Sequence, residues 1–576
     1  MEKEYLTKET KSIKNNALKT LVIVLITAAL IAPSVYSAPP SRQLTEIETN
    51  DYGTDNLATF ITNSNGNYWE ETGVNLYTAL GGAGGDIIAY IPGNAHPYPN
   101  GHEFYVNGSY GSDTNLGNID SPFATIQYGV GMLRAGDTLF IRGGTYVENY
   151  VKLNHSHGSI DNYITIKPYN DEDVKLKATI TINDSYFIKI EGLQIYDTPS
   201  YGIGGSLGYA GEEIHNIIID NCLINNTFNA GIYLNGIDEW NTIDSIQITN
   251  NELHHLNTGG SNEGIAPNYC SNITISNNYL YDCYKEMIAL DTCSYATVNN
   301  NIINMTEPSD DTYSQCIGIR SNSFSGGNIT DINVSNNWIW GNHTNVGIEI
   351  IGFENPSSPG SHSKIYCYNN IISGTARGID IMGSDSTPEW ANKINNVSIV
   401  HNTIYNTSGA GIRFNDSVND ESDIDNLTVM NNIMVHKDGH FGFINYPSSD
   451  IDLNNFSVDY NFFTMNISGY HTSGGSHPGS NNVNEWSESD WGYDIFKKAS
   501  TNHNKIGIYY EDLSLIATCN ATDAGGDLYD WYSDYLGNTR LINNRDIGAF
   551  ERNDAVAVPY FSNIMVSICY TKVTGI

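Results

Sequence analysis

The chain has 576 residues, of which 16% are charged and 54 are glycine, and its formal net charge is −37. So little charge with so much glycine argues against a helical bundle. The acidic balance excludes nucleic acid as a natural partner, because phosphates are met by clustered lysine and arginine.

The amino terminus places Lys11, Lys14 and Lys19 before the apolar run Leu21 to Ala32, then Pro33 and the small-residue site ending at Ser37. This pattern predicts a signal peptide over 1–37 and a protein of the cell surface or extracellular space. An uncleaved anchor would need a longer apolar span, and no later segment supplies a transmembrane one. Residues 38–100 carry no assignable pattern. Ser121-Pro122 then predicts a helix start, with Ile126, Val130 and Leu133 on one apolar face, placed to plug the first coil of a downstream repeat.

From about residue 214 one element recurs, an alternating strand that ends in a polar corner: IIIDNCLI, IQITNNEL, NITISNNYL and six more. Its last asparagines are read as Asn221, Asn251, Asn278, Asn301, Asn337, Asn370, Asn402, Asn432 and Asn461, at intervals of 23 to 36 residues. A fixed strand with a variable interval means one loop per repeat absorbs the insertions, as in stacked coils. Asparagine suits the corner because it tolerates left-handed backbone and its amide bonds to the asparagines above and below. A second element marches in step with the first: GIYLN, GIAP, MIALD, CIGIR, GIEII, GIDIM and GIRFN, whose first isoleucines run from Ile232 to Ile412. Alternation sends these isoleucines into a core and their neighbours outward. A propeller lacks a single Asn corner, and a leucine-rich horseshoe would need the LxxLxL frame. The predicted fold is all-β, a right-handed parallel β-helix (single-stranded solenoid) of about ten coils over 101–469. It carries an N-terminal capping helix, a C-terminal cap over 470–551 with Trp486, Trp491 and Trp531, and a tail at 552–576.

The run from Tyr105 to Glu148 resembles the opening module of secreted β-helix proteins of the pectate-lyase-like superfamily, and RLINNRDIGAFE from Arg540 to Glu551 resembles their closing module. The Asn-rich coils are also similar to the disaggregatase-related surface proteins of methanogenic archaea. The resemblance implies a polysaccharide or cell-surface glycan as partner, lying along the GIxI strands. It does not fix the reaction, since the superfamily holds lyases, hydrolases, epimerases and non-catalytic adhesins.

On that face the first outward column reads Tyr233, Ala266, Ala289, Gly318, Glu349, Asp380 and Arg413, and the next includes Asp291 and Arg320. Glu349 and Asp380 fall on adjacent coils about 4.8 Å apart, which raises one carboxyl pKa and suits an acid beside a base. They are the expected catalytic pair, with Arg320, Arg413, Asp291 and Lys285 as substrate-binding residues. Glu349, Asp380 and Asp291 would supply oxygen ligands if Ca²⁺ is a cofactor. The reaction expected is cleavage of an anionic, uronic-acid-containing polysaccharide by hydrolysis or β-elimination. The same charged residues also read as a ladder of surface ion pairs, which would leave a non-catalytic glycan-binding or structural protein. Lys285 reads more simply as a solvated side chain, and His254, His255 and His343 are weaker alternatives beside the groove. Of Trp338 and Trp340, one is expected in the core and one exposed. Cys270 and Cys293 each precede a corner asparagine by eight residues, 278 minus 270 and 301 minus 293, and are the disulfide candidate.

Overall fold

The computed structural model describes residues 101–463, apart from 239–241, 257–262, 284, 306–313, 322–327, 353–360, 383–392, 416–423, 436–442 and 447–455, and the backbone of a few short strands beyond. The expected signal peptide, the C-terminal cap with its tryptophans, and the tail lie outside the described residues. Among the described residues no helix is long and apolar enough to cross a membrane.

The chain is a right-handed parallel β-helix. One row of strands, from Glu103–Val106 to Phe456–Asp459, stacks into a 13-stranded parallel sheet. Two further rows join through the long strand Val174–Asn183 into a 22-stranded sheet. One row holds the short strands after the Asn corner, such as Ile371–Ser373, and the other the GIxI strands, nine of them from Ile203–Ser206 to Phe443–Tyr446. In-register pairs such as Ile317 with Ile348 and Ile348 with Ile379 line up the isoleucines, and each is fully buried. Burying such a side chain contributes about 1.5–3 kcal/mol, so repeated coils add stability coil by coil. Where glycine precedes the isoleucine it serves close approach: a Cβ at Gly347 would lie 2.5 Å from the carbonyl oxygen of Gly378 in the next coil.

The Asn corner divides between two successive residues the two duties that sequence reasoning gave to one. The left-handed backbone belongs to the residue before: Asn250, Asn277, Asn300, Asn336, Asn369, His401, Asn431 and Tyr460 have φ between 54° and 59°. The buried ladder is formed by the next residue, from Asn251 to Asn461. In Asn370, Nδ2 donates to Asn402 Oδ1 (3.0 Å) and to the carbonyl of Val334 (2.9 Å), while Oδ1 accepts from Asn337. Asn221 is therefore not a ladder residue. It takes the left-handed position (φ 52°), and Cys222 occupies the ladder place, its N–H donating to Asn251 Oδ1 (2.8 Å).

A short helix, Ile126–Met132, packs Ile126 and Val130 against the first coil, with Leu133 buried just beyond. It starts at Thr125, not at Ser121, because the Thr125 hydroxyl caps Tyr128 N–H. The Glu148 carboxylate takes the N–H groups of Ile126 and Gln127 (2.8 and 3.0 Å), completing the cap from a neighbouring strand.

Candidate active site

Three positions in each coil build one wall: the residue two before the first isoleucine of the GIxI strand, the residue after it, and the residue three after it. For Ile265 these are Glu263, Ala266 and Asn268, and for Ile288 they are Glu286, Ala289 and Asp291. Ile317 brings Gln315, Gly318 and Arg320, Ile348 brings Val346, Glu349 and Ile351, and Ile379 brings Arg377, Asp380 and Met382. Parallel in-register pairing stacks like on like, so Gly318, Glu349, Asp380 and Arg413 follow one another as expected.

The wall holds two charge groups. In the first, Arg320 donates from Nε to Asp291 (2.5 Å), from Nη1 to Glu286 (2.6 Å) and from Nη2 to Glu263 (2.9 Å). Asp291 ends the strand Ile288–Asp291 and Glu286 lies just ahead of it, so one guanidinium joins both ends of the strand that carries Ala289. Burial lifts the Glu263 and Asp291 carboxyls above their ordinary range, with Glu286 adding to both, and Arg320 opposes. Burial would lower the Arg320 pKa, yet the facing carboxylates, Asp291 first, raise it. Lys285 is not a solvated side chain: its ammonium lies 3.4 Å from both Glu263 and Glu286.

In the second group Asp380 is fully buried and accepts from Arg413 Nε (2.7 Å) and Nη2 (2.5 Å) and from Arg377 Nη1 (2.8 Å). Its neighbour Glu349 is 2% exposed, hydrogen-bonds to the Gln315 side chain, and has no partner for Oε2 among the described residues. Burial first, and the Asp380 charge second, push the Glu349 carboxyl up to about 8. At neutral pH Glu349 is therefore largely a neutral carboxylic acid beside a carboxylate clamped by two guanidiniums.

The expected flanking of this pair by Arg320 and Arg413 holds for Arg413 alone. Arg320 stands three residues beyond its isoleucine, directly above Asp291 in register, and turns back to the other carboxylates. Arg377, Gln315, Glu263 and Glu286 were missed. All four occupy the position two before the isoleucine, a column that alternation alone assigns to the core. The backbone bends just ahead of the strand at Gly264 and Met287, while Gln315 and Arg377 open their strands and stack in register through Val346, so that column belongs to the wall. Ca²⁺ does not fit Glu349, Asp380 and Asp291 as one ligand set, because Asp291 is held by Arg320 in the first group and Asp380 by Arg377 and Arg413 in the second.

Other expectations are corrected by packing. Trp338 is buried and Trp340 half-buried, with their rings 4.5 Å apart on one side of the strand, while Ile339 between them fills the core. The His254 ring stacks on Tyr281 (4.7 Å) in the row of strands after the Asn corner, and His343 N–H donates to the Gly374 carbonyl. Cys270 and Cys293 come to neighbouring coils, as the spacing requires, but both are free buried thiols. Cys293 Sγ donates to the Pro267 carbonyl (3.3 Å) and Cys270 Sγ to the Asn268 carbonyl (3.4 Å). The two thiols touch across the coils, and that contact, after burial, holds the Cys293 thiol well above its ordinary range.

The fold and wall together define a right-handed β-helix protein with a buried acidic pair on its GIxI face. A family model described as a right-handed β-helix region matches residues 178–357. The uncharacterized protein YwoF of Bacillus subtilis (strain 168) is 32% identical over 124 residues, which are 19% of this chain. The matched part spans about a quarter of YwoF, 26% of its length. Among solved structures, a GH136 lacto-N-biosidase from Eubacterium ramulus is 14% identical, with 64% of this chain and 68% of that one covered and a TM-score of 0.45. Pectate lyase Pel9A is 12% identical, covering 79% and 97%, with a TM-score of 0.40. The PL6 family alginate lyase AlyGC is 14% identical, covering 75% and 59%, with a TM-score of 0.36. These are likenesses of fold, and none carries a residue or a reaction over to this chain.

Proposed function

We propose that this chain is a carbohydrate-active protein of the cell surface or extracellular space that hydrolyses an anionic, uronic-acid-containing polysaccharide. The observation that carries the reading is the second charge group. With Glu349 neutral, two guanidiniums against one carboxylate leave a net positive spot in a chain whose overall charge is −37. An anionic glycan requires such a spot, because the rest of the surface repels it.

Glu349 is the general acid, since a carboxyl that holds its proton at neutral pH can protonate a leaving glycosidic oxygen. Asp380 on the adjacent coil is the second carboxylate, at a separation resembling that of a retaining enzyme, and Arg377 and Arg413 hold it in place. Elimination is supported less well: it needs a free base beside the uronate, and Glu349 is protonated while Asp380 is fully engaged.

A second reading is favoured by the complete burial of Asp380 and its two arginines. In it the pair only stiffens the wall, and the protein binds glycan or builds surface structure without cleaving it. The experiment that separates the readings incubates the protein with a panel of uronic-acid polymers and records reducing ends and unsaturated-product absorbance. Hydrolysis predicts new reducing ends without unsaturated product, and a loss of turnover by at least about a hundredfold in both Glu349→Gln and Asp380→Asn. Full activity in both variants would remove the pair from the reaction, and unsaturated product would replace hydrolysis by elimination.

A further inference from the structure

Away from the charge wall, at a corner of the first coils, His155-Ser156-His157 meets Asp184 of the next coil. His155 Nδ1 lies 2.6 Å from Asp184 Oδ2, and His157 Nε2 lies 3.0 Å from the Asp184 main-chain oxygen. One ligand atom from each of the three side chains falls within 4.8 Å of the others. The surroundings fix this arrangement. Glu213 N–H holds Asp184 Oδ1 (2.9 Å), which leaves Oδ2 turned toward His155. The His157 ring stacks on Tyr186 at 4.3 Å and 7°, and Tyr186 stacks in turn on His215 at 4.6 Å. Main-chain bonds pin both ends of the motif to the neighbouring coil, His155 N–H to Asn183 (3.1 Å) and Gly158 N–H to Tyr186 (2.9 Å).

We propose that His155, His157 and Asp184 bind a divalent transition ion, Zn²⁺ in particular, and so staple two successive coils. Two imidazole nitrogens with one carboxylate suit zinc, whereas Ca²⁺ and Mg²⁺ require oxygen ligands throughout. Both histidines are exposed, so the outer coordination position is open to water or to a ligand from outside. On binding, the ion takes the place of the hydrogen between His155 Nδ1 and Asp184 Oδ2, and the neutral ring carries its hydrogen on Nε2 instead. The Glu213 amide and the Tyr186 ring act as orienting groups behind the ligands.

The test titrates chelator-stripped full chain with Zn²⁺ by calorimetry, and with Co²⁺ by visible absorption, which reports nitrogen ligation. The expected result is one tight ion per chain and a visible Co²⁺ band. The exposed double variant His155→Ala/His157→Ala should bind at least about thirtyfold more weakly while melting as the parent does in chelator, and Asp184→Asn should weaken binding about tenfold. Equal binding by parent and double variant would assign the ion to carboxylates elsewhere and overturn the site. So would the absence of a Co²⁺ band in the parent, whatever the variants do.

Discussion

The two charge groups sit on the same three columns of one wall, a coil or two apart, and they balance in opposite senses. Around Arg320 one guanidinium and one ammonium serve three carboxylates, and the coils there carry the small residues Ala266, Ala289 and Gly318. Around Asp380 two guanidiniums serve one carboxylate, and the small residue is replaced by Glu349, which no cation touches among the described residues. The first group is a closed set of partners. The second is open, with a spare proton and a spare oxygen, and groups of that kind cluster at reactive sites.

The sharpest way to break this comparison is to open the closed set. Arg320→Met leaves Asp291, Glu286 and Glu263 facing one another with only Lys285 between them. Stranding buried carboxylates in this way costs about 3–5 kcal/mol. Urea unfolding at pH 7 should show that loss, and a change within about 1 kcal/mol would mean the group is solvated and the contrast is empty.

Next in size is the pH response of the open group. The folded Glu349 carboxyl titrates near 8 and the unfolded one near 4.5, so unfolding at neutral pH releases a proton. The stability this group contributes is complete well below pH 4.5 and fades as pH rises to 8, by about 4 kcal/mol over that range. Glu349→Gln keeps shape and neutrality, so the variant should match the parent at pH 4.5 and melt higher at pH 8. Parallel melting curves across that range would mean that Glu349 is ionised in the fold and cannot serve as the acid.

The fold was legible because its signals are periodic. Isoleucines in step with polar corners define the coils, and strand alternation placed Glu349, Asp380 and Arg413 in one column correctly. What alternation could not see is where a strand begins. Arg377 and Gln315 are the first residues of their strands, and only the register of stacked coils reveals that they join the wall. Long side chains escape the column rule as well: Arg320 is held by residues from two columns and two coils. Partner choice depends on side-chain reach, which a one-dimensional pattern does not contain.

The smallest expected effect concerns the same contrast of closed and open sets within the Asn ladder. Each interior rung is closed, with its amide donating both to the next asparagine and to a carbonyl one coil back. The first rung is open. Cys222 N–H reaches Asn251 Oδ1, but the thiol makes only long contacts, 3.4 Å to the Asp220 carbonyl and 3.9 Å to that of Ile190. In the coil above, Asn251 Nδ2 bonds to the Ile219 carbonyl at 3.0 Å and to Asn278 Oδ1 at 3.0 Å. The equivalent acceptors around residue 222 are Ile190 O and Asn251 Oδ1, both already in place. The Leu193 N–H that now meets the Cys222 sulfur would meet an amide oxygen instead. Cys222→Asn thus adds a rung without moving backbone, exchanging weak thiol contacts for amide hydrogen bonds worth about 0.5–1.5 kcal/mol. Because the preceding Asn221 already holds the left-handed turn, the corner backbone keeps its path. Chemical unfolding should show a gain of that size. A loss would mean that the ladder ends at Asn251 because the first rung has no room for an amide, and that the corner chemistry differs between the ends of the solenoid.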